Sequence, residues 1–345
     1  SEVCSKFYKL KPKNIIAVTG TNGKTSVTDL FYQILKLNNK PAASIGTLGV
    51  KFNGKTIKTK LTSPDTISLH RILEKMKKKR IDNVIIEASS HGLHQNRIDH
   101  LDLKAGIFTN FSQDHLDYHK NMSAYLNAKL LLFKKVLTKK KALICDKNIK
   151  QYSILKNISK KRSLRLIDIT SIKTKLEKFN NFEMDEIKIK NLSMAINAAK
   201  LCNLKEEQIF KSLNRIRDIN GRFELVKNFP NNVKVFVDFA HTPDALKRVL
   251  EVLKKSVGKN IVLVFGCGGE RDVKKRPLMA KIAGKNCKTI YVTDDNPRKE
   301  KPERIRSELV RQLNNANHFN IGNRAKAIES AILNADPNDI ILMAG

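Results

Sequence analysis

The sequence predicts an α/β protein with mainly parallel sheets, built as two successive units. Three observations predict it. Short β-rich runs alternate with amphipathic helical stretches from residue 14 to about 140. A lysine-rich, less regular stretch, 141–190, interrupts them. The alternation then restarts beyond Asn220-Gly221 in "DINGRFELV", a strong turn signal. The chain is therefore divided into a leading segment 1–13, a first unit 14–219 and a second unit 220–345.

In the first unit "NIIAVTG" reads as a strand, "KTSVTDLFYQILKLNN" as a helix, and "NVIIEASS" and "AGIFTNF" as further strands. "SAYLNAKLLLFKKVL" has helical spacing, and beyond the lysine-rich stretch so does "NLSMAINAAKLC". In the second unit the strands are "VKVFVDFA", "NIVLVFGCGG", "TIYVTDD" and "DIILMAG", with helices between them. The chain has no internal repeat. Ligands of open α/β sheets bind at the carboxyl ends of the strands, so the loops that follow these runs are where function is expected.

Composition sets the bounds. With 345 residues, 41% of them hydrophobic, the chain can bury two cores. No apolar run approaches a membrane span, and "SEVCSKFYKL" lacks a secretory apolar region. Five scattered cysteines without a CxxC pair predict reduced thiols in a cytosolic protein, with neither disulfides nor a zinc site. The formal net charge of +33 is spread along the chain. Tryptophan is absent and aromatics do not interleave with the basic residues, so lysine-coated solvated faces are favoured over nucleic-acid binding. The charge suits anionic small molecules.

"AVTGTNGKTSV" places Gly20, Gly23, Lys24 and Thr25 between a strand and a helix. Backbone N–H groups of Gly20–Ser26, including Thr21 and Asn22, can turn toward phosphate oxygens. Lys24 can neutralise the β/γ-phosphates, and the Thr25 hydroxyl can ligate Mg²⁺. The spacing departs from GxxxxGK[ST], since Val18 takes the first glycine position. Glu87 ends the run "NVIIE", where a magnesium-binding acid belongs. The first unit is thus expected to be a P-loop ATPase domain and the second a Rossmann-like α/β domain. "TDDNPRKE", Thr293–Glu300, sets Asp295, Asn296, Pro297 and Arg298 in one loop, as a grip on a free amino acid would require.

Read from spacing alone, Lys129 is a surface lysine on a helix, and His115 is a polar residue at a helix start. A resemblance changes that. "SSHGLHQNRID" and "TNFSQDHLDYHKNMSAYLNAKLLLF" resemble the Mur ligases, the ATP-dependent amino-acid-adding enzymes of bacterial peptidoglycan synthesis. "GRFELV", "VDFAHTPDAL", "VFGCGGERDVKKRPLMAKIA" and "TDDNPRKE" are similar to the branch that extends UDP-N-acetylmuramoyl-L-alanyl-D-glutamate. The resemblance runs from Asn14 to Gly345.

The resemblance implies that the short spacing of Gly20–Ser26 is the family's own, and that Glu87 holds magnesium. It implies a second metal ligand at His115, and a carbamylated Lys129 as a ligand for a second Mg²⁺. Asn191, Arg222, Asp238 and His241 match nucleotide contacts, the last three reaching in from the second unit. Thr62, Ser63, Ser89, Gln95 and Arg97 match the UDP-sugar-dipeptide positions, although Leu61 stands where some members have asparagine. Arg271, Asp295, Asn296, Pro297, Arg298 and Gly345 match the amino-acid pocket. Members with the arginine of "DNPR" add meso-diaminopimelate, whose far carboxylate a guanidinium can take with two parallel hydrogen bonds.

A uridine-binding domain before the chain and a Lys-Gly-His-Glu segment after it are further family features, so 1–13 is expected to be a remnant of the former or a linker. The expected partners are ATP, the nucleotide precursor and diaminopimelate, bound by a cytoplasmic bacterial monomer without nucleic acid or membrane. A lysine-adding or folylpolyglutamate-type ligase is the alternative, and a basic P-loop nucleic-acid-binding protein a more distant one.

Overall fold

The structure, a computed structural model, describes residues 2–179, 186–258, 260–313 and 316–345. Chain contacts divide it into two compact units. Unit 1 takes Ser1–Phe111 and Ser123–Arg217, and unit 2 takes Asp218–Gly345 together with Ser112–Met122.

Unit 1 holds an eight-stranded sheet. Its strands are β1 (Asn14–Thr19), β2 (Ala42–Gly46), β3 (Gly49–Phe52), β4 (Lys55–Ile57), β5 (Asn83–Glu87), β6 (Leu103–Phe108), β7 (Ala142–Cys145) and β8 (Arg165–Asp168). The order is β4-β3-β2-β5-β1-β6-β7-β8. From β2 to β8 every pairing is parallel, and β3 and β4 turn back antiparallel at one edge. Central β1 reads "NIIAVT" and is buried at all six positions, the continuous apolar run that a strand covered on both faces needs. Ile15, Ile16 and Val18 are at most 1% exposed, and each such side chain contributes roughly 2 kcal/mol by leaving water.

Unit 2 holds six strands: β9 (Glu224–Asn228), β10 (Lys234–Asp238), β11 (Ile261–Phe265), β12 (Thr289–Val292), β13 (His318–Asn320) and β14 (Ile340–Ala344). The order is β13-β12-β11-β14-β10-β9, parallel except for the β9 edge. Its core is built from Leu246, Leu250, Leu263, Phe265, Ile290 and Leu342, among others. Both sheets are thus the mainly parallel α/β kind the alternation predicts.

One expectation needs correcting and one gains detail. The stretch 141–190 is more regular than its composition suggested: β7, a helix Tyr152–Lys161, β8 and a helix Thr170–Glu177 follow one another, while 180–185 lie outside the described residues. The lysines of the helix Tyr152–Lys161 leave Leu155 and Ile158 to face the core. The helical run around "SAYLNAKLLLFKKVL" is an α-helix, Met122–Leu131, that widens into a π-helical turn, Leu132–Val136.

All five cysteines are free. Among the described residues no helix is long and apolar enough to cross a membrane.

Candidate active site

The predicted site residues fall into two groups, each gathered at the carboxyl ends of four adjacent strands. In unit 1 these are β2, β5, β1 and β6, which end at Gly46, Glu87, Thr19 and Phe108.

The loop after β1 leads into the helix Lys24–Leu37. Gly20 has φ +141, and a Cβ there would lie 1.8 Å from Thr109 Oγ1, so only glycine fits. The strand beside it holds the loop open. Asn22 N–H donates to Asn110 Oδ1 at 2.9 Å, Thr21 N–H to the Asn110 carbonyl at 3.0 Å, and Thr109 Oγ1 to the Asn22 carbonyl at 2.6 Å. Lys24 folds back over the loop and donates from Nζ to the carbonyls of Gly20 and Thr21, at 3.0 and 2.8 Å. At the far side of the loop a Cβ on Gly23 would meet Asn191 Oδ1, which places Asn191 of the helix Glu186–Lys200 against the turn.

Thr25 Oγ1 donates to Glu87 Oε2 at 3.2 Å. Glu87 is 1% exposed, and its carboxylate also accepts from the Thr47 N–H at 2.9 Å and the Thr47 hydroxyl at 3.2 Å. A Cβ on Gly46 would sit 2.2 Å from Glu87 Oε1, so the end of β2 leaves room for that carboxylate only because residue 46 is glycine. Thr47 also meets Thr62, hydroxyl to hydroxyl, at 3.3 Å.

From there a connected network runs outward. Ser63 Oγ donates to the Glu87 carbonyl at 2.7 Å and lies 3.0 Å from Ser89 Oγ. Ser89 caps the short helix Ser90–His94 by accepting from Gly92 N–H. Arg97 donates to the Ser63 carbonyl at 2.8 Å and to the Gln95 side chain. Thr62, Ser63, Ser89, Gln95 and Arg97 are therefore one cluster.

Lys129 corrects the spacing-based expectation: it is 1% exposed, not a surface residue. Its Nζ donates to the Gly20 carbonyl at 2.7 Å and stands 4.3 Å from the centre of the Tyr125 ring, whose hydroxyl donates to Thr21 Oγ1 at 3.3 Å. The carbonyl and the ring face replace the water that burial removes from the cation.

In unit 2 the four adjacent strands are β12, β11, β14 and β10. Their ends are in register: Phe265 pairs with Val292 and Ala344, and Ala344 with Asp238. The loop after β12 carries Asp295–Arg298, that after β11 carries Gly266–Arg271, and Gly345 follows β14. Arg298 donates from Nη1 to the Gly269 carbonyl at 2.7 Å, and Gly269 N–H donates to the Asn296 carbonyl at 3.1 Å. Asn296 donates to Asp295 Oδ1 at 3.0 Å, and Arg271 lies 3.7 Å from Asp117.

At the end of β10, Asp238 Oδ2 accepts from Phe223 N–H at 2.8 Å. Desolvation pushes its carboxyl above the usual carboxylate range, against the pull of that bond and of Arg222. Arg222 stacks on Phe239, 4.5 Å from the ring centre, and Phe239 packs against His241.

His115 belongs to this unit too. It starts the short helix Leu116–His119 with φ +55, and its ring lies 3.3 Å from Asp114 Oδ2, as His241 does at 3.4 Å. Burial alone would raise the Asp114 pKa. The His241 hydrogen bond with the charges of His115 and Lys275 outweighs it and holds the carboxylate well below its ordinary range.

Sequence reasoning missed the residues that support the predicted ones: Gly46, Thr47, Thr109 and Asn110 in unit 1, and Asp114, Arg276 and Glu300 in unit 2. For Gly46, Thr47, Thr109 and Asn110 a glycine or polar residue at the end of a β-rich run was the available signal, and Arg276 and Glu300 offered none.

Comparison with known proteins follows the same two units. The Mur ligase middle domain matches residues 18–214, and the Mur ligase, glutamate ligase domain matches residues 221–345. A UDP-N-acetylmuramoyl-L-alanyl-D-glutamate–2,6-diaminopimelate ligase of Rickettsia bellii is 38% identical over 371 residues, covering 100% of this chain and 77% of its own. A solved structure of a ligase of the same name aligns with TM-score 0.64 at 27% identity, covering 100% of this chain and 75% of that one. A Yersinia pestis folylpolyglutamate synthase/dihydrofolate synthase, complexed with AMPPNP and a Mn ion, aligns with TM-score 0.78 at 17% identity, covering 100% and 89%, and shows the fold alone.

The two matched domains define an ATP-dependent ligase that forms an amide bond. The chain belongs to the Mur ligase family.

Proposed function

We propose that the protein adds meso-2,6-diaminopimelate to UDP-N-acetylmuramoyl-L-alanyl-D-glutamate at the expense of ATP, in bacterial peptidoglycan precursor synthesis. The observation that carries this reading is similarity along the whole chain, at 38% identity, to relatives named for that reaction. The site chemistry agrees with it. The nucleotide's γ-phosphoryl passes to the free side-chain carboxylate of the D-glutamate, giving an acyl phosphate and ADP. A diaminopimelate amine attacks the acyl carbon, and the tetrahedral adduct collapses to the amide with release of phosphate and a proton. A carboxylate oxygen is a poor leaving group, and phosphorylation corrects that.

In this reading Gly20–Ser26 cradle the phosphates through backbone N–H groups, and Lys24 leaves its two carbonyls to neutralise the transferring group. Asn191, Arg222, Asp238 and His241 bind the rest of the nucleotide. Thr62, Ser63, Ser89, Gln95 and Arg97 hold the precursor. Arg271, Asp295, Asn296, Pro297, Arg298 and Gly345 hold diaminopimelate, with Arg298 on its far carboxylate.

Magnesium fits the residues present. Among the described residues no group of three or more His, Cys, Asp or Glu side chains could cage a metal. Thr25 Oγ1 and Glu87 Oε2, 3.2 Å apart, offer two hard oxygens beside the phosphate loop, as suits an ion that keeps water and phosphate ligands. Bound there it supplies charge neutralisation to the phosphates. A second ion would draw on His115 and a carbamylated Lys129. A carbamate keeps one N–H, which can still serve the Gly20 carbonyl that Lys129 now meets.

We further propose a cytoplasmic monomer that works on small molecules and binds no nucleic acid. The test is ADP release in the presence of ATP, Mg²⁺ and the nucleotide precursor, with diaminopimelate, lysine and glutamate supplied in turn. Release that depends on diaminopimelate is expected. Release that instead depends on lysine or glutamate would move the chain to another branch.

A further inference from the structure

Arg276 has the largest of the fully buried side chains, at 1% exposure. It lies in the first turn of the helix Lys275–Asn286, where the helix dipole disfavours a cation. Burying a guanidinium there is costly, and an aliphatic side chain of similar volume would fill the space without that penalty. What an aliphatic residue cannot do is join several acceptors at fixed angles.

Arg276 Nη1 donates to Glu308 Oε2 at 2.9 Å. Nη2 donates to Glu300 Oε1 at 2.9 Å and to the Gly268 carbonyl at 3.3 Å. The same Glu300 oxygen accepts the Glu270 N–H. Gly268 and Glu270 belong to the loop after β11, and Glu300 to the loop after β12. One guanidinium therefore fastens together the two loops that carry Arg271 and Asp295–Arg298, while Glu308 anchors it from the helix Pro302–Val310. The bonds of Arg298 and Asn296 to Gly269 run between those same loops.

We propose that Arg276, acting through Glu300, is a positioning residue for the incoming amino acid: it fixes the spacing of Arg271 and Arg298. This rests on the amino-acid pocket assigned above. Arg276 is buried, so its effect reaches the reaction only through the two loops.

Glu300 is about a quarter exposed and can be changed without opening the core. Glu300→Ala removes the shared acceptor, Glu300→Gln restores an oxygen, and Glu308→Ala cuts the arm that reaches neither loop. Glu300→Ala should raise the KM for the amino acid about tenfold, the scale of a small misplacement, with the KM for ATP within about twofold. Glu300→Gln should recover most of that loss, and Glu308→Ala should lower Tm without moving the KM for the amino acid.

Equal rises in both KM values, no rise with Glu300→Ala, or an equal rise with Glu308→Ala would overturn the assignment. If the unmodified protein accepts lysine or glutamate, the functional reading fails, and the same split measured on the accepted amino acid still decides the clamp. Hydrogen exchange decides it without turnover. The Gly269 and Glu270 amides should exchange faster in Glu300→Ala, and unchanged protection would refute the clamp.

Discussion

The phosphate loop of unit 1 and the paired loops of unit 2 sit alike, each over four adjacent strand ends of a parallel sheet, yet they are held differently. The first is one short segment braced by backbone and small side chains: Thr109 and Asn110 donate or accept within a residue or two of a strand end. The second is two segments joined by long charged side chains, Arg298 and Arg276, with Glu300 between them. A phosphate needs a fixed ring of N–H donors, which glycine-rich backbone supplies. In the proposed reading a doubly acidic amino acid meets two separated cations, and loops that carry cations must be tied at a distance.

The comparison can be broken in three ways. Lys24→Ala removes a charge from the phosphate loop, and loss of transition-state neutralisation should cut kcat by about a thousandfold. Arg298→Ala should leave kcat nearer to normal while raising the KM for diaminopimelate at least tenfold and sparing that for ATP. Steady-state kinetics on both variants, with unchanged circular dichroism, checks the contrast. Similar effects on both KM values would erase it.

Gly46→Ala acts one step back. Its methyl would meet Glu87 Oε1, so the carboxylate must move from its place beside Thr25. Saturation should then require several-fold more Mg²⁺, read as the shift in the metal titration of ADP release, with the KM for diaminopimelate unmoved.

The smallest effect concerns acid sensitivity in unit 1 away from both sets of loops. His70 is buried under Tyr8, and neither ring nitrogen has a hydrogen-bond partner. Desolvation, with Lys11 and His100 as further causes, lowers its pKa to about 4. The unfolded chain therefore binds the proton more readily. The stability this group protects is complete above its ordinary pKa near 6.5 and is lost as pH falls toward about 4, by roughly 3 kcal/mol or less. His70→Leu should flatten the fall of Tm between pH 6.5 and 4, as a thermal melt series would show, and should leave the KM values at neutral pH unchanged.

What the sequence allowed to be read follows the same division. The strand–loop–helix of Asn14–Leu37 could be read directly because its chemistry is contiguous: an apolar run, glycines, then Lys24 and Thr25. Glu87 could be placed beside that loop because it ends an apolar run, and the structure sets it 3.2 Å from Thr25. Lys129 misled, since helical spacing does not reveal that Tyr125 and the Gly20 carbonyl surround its ammonium. Strands β7 and β8 were hidden by shortness and by lysines on neighbouring helices. Arg276 gave no signal, because "KKRP" in a basic chain looks like a solvated turn until its carboxylates arrive from 24 and 32 residues further on.

The placing of Ser112–Met122 with unit 2 has a consequence for how this molecule can be made or divided. The polypeptide changes body three times, after Phe111, Met122 and Arg217, so no single cut separates two self-sufficient pieces. A fragment starting at Asp218 would leave His241 and Lys275 without the Asp114 carboxylate they face. On the ribosome that acidic peptide emerges roughly a hundred residues ahead of the strands it serves, and must wait for them.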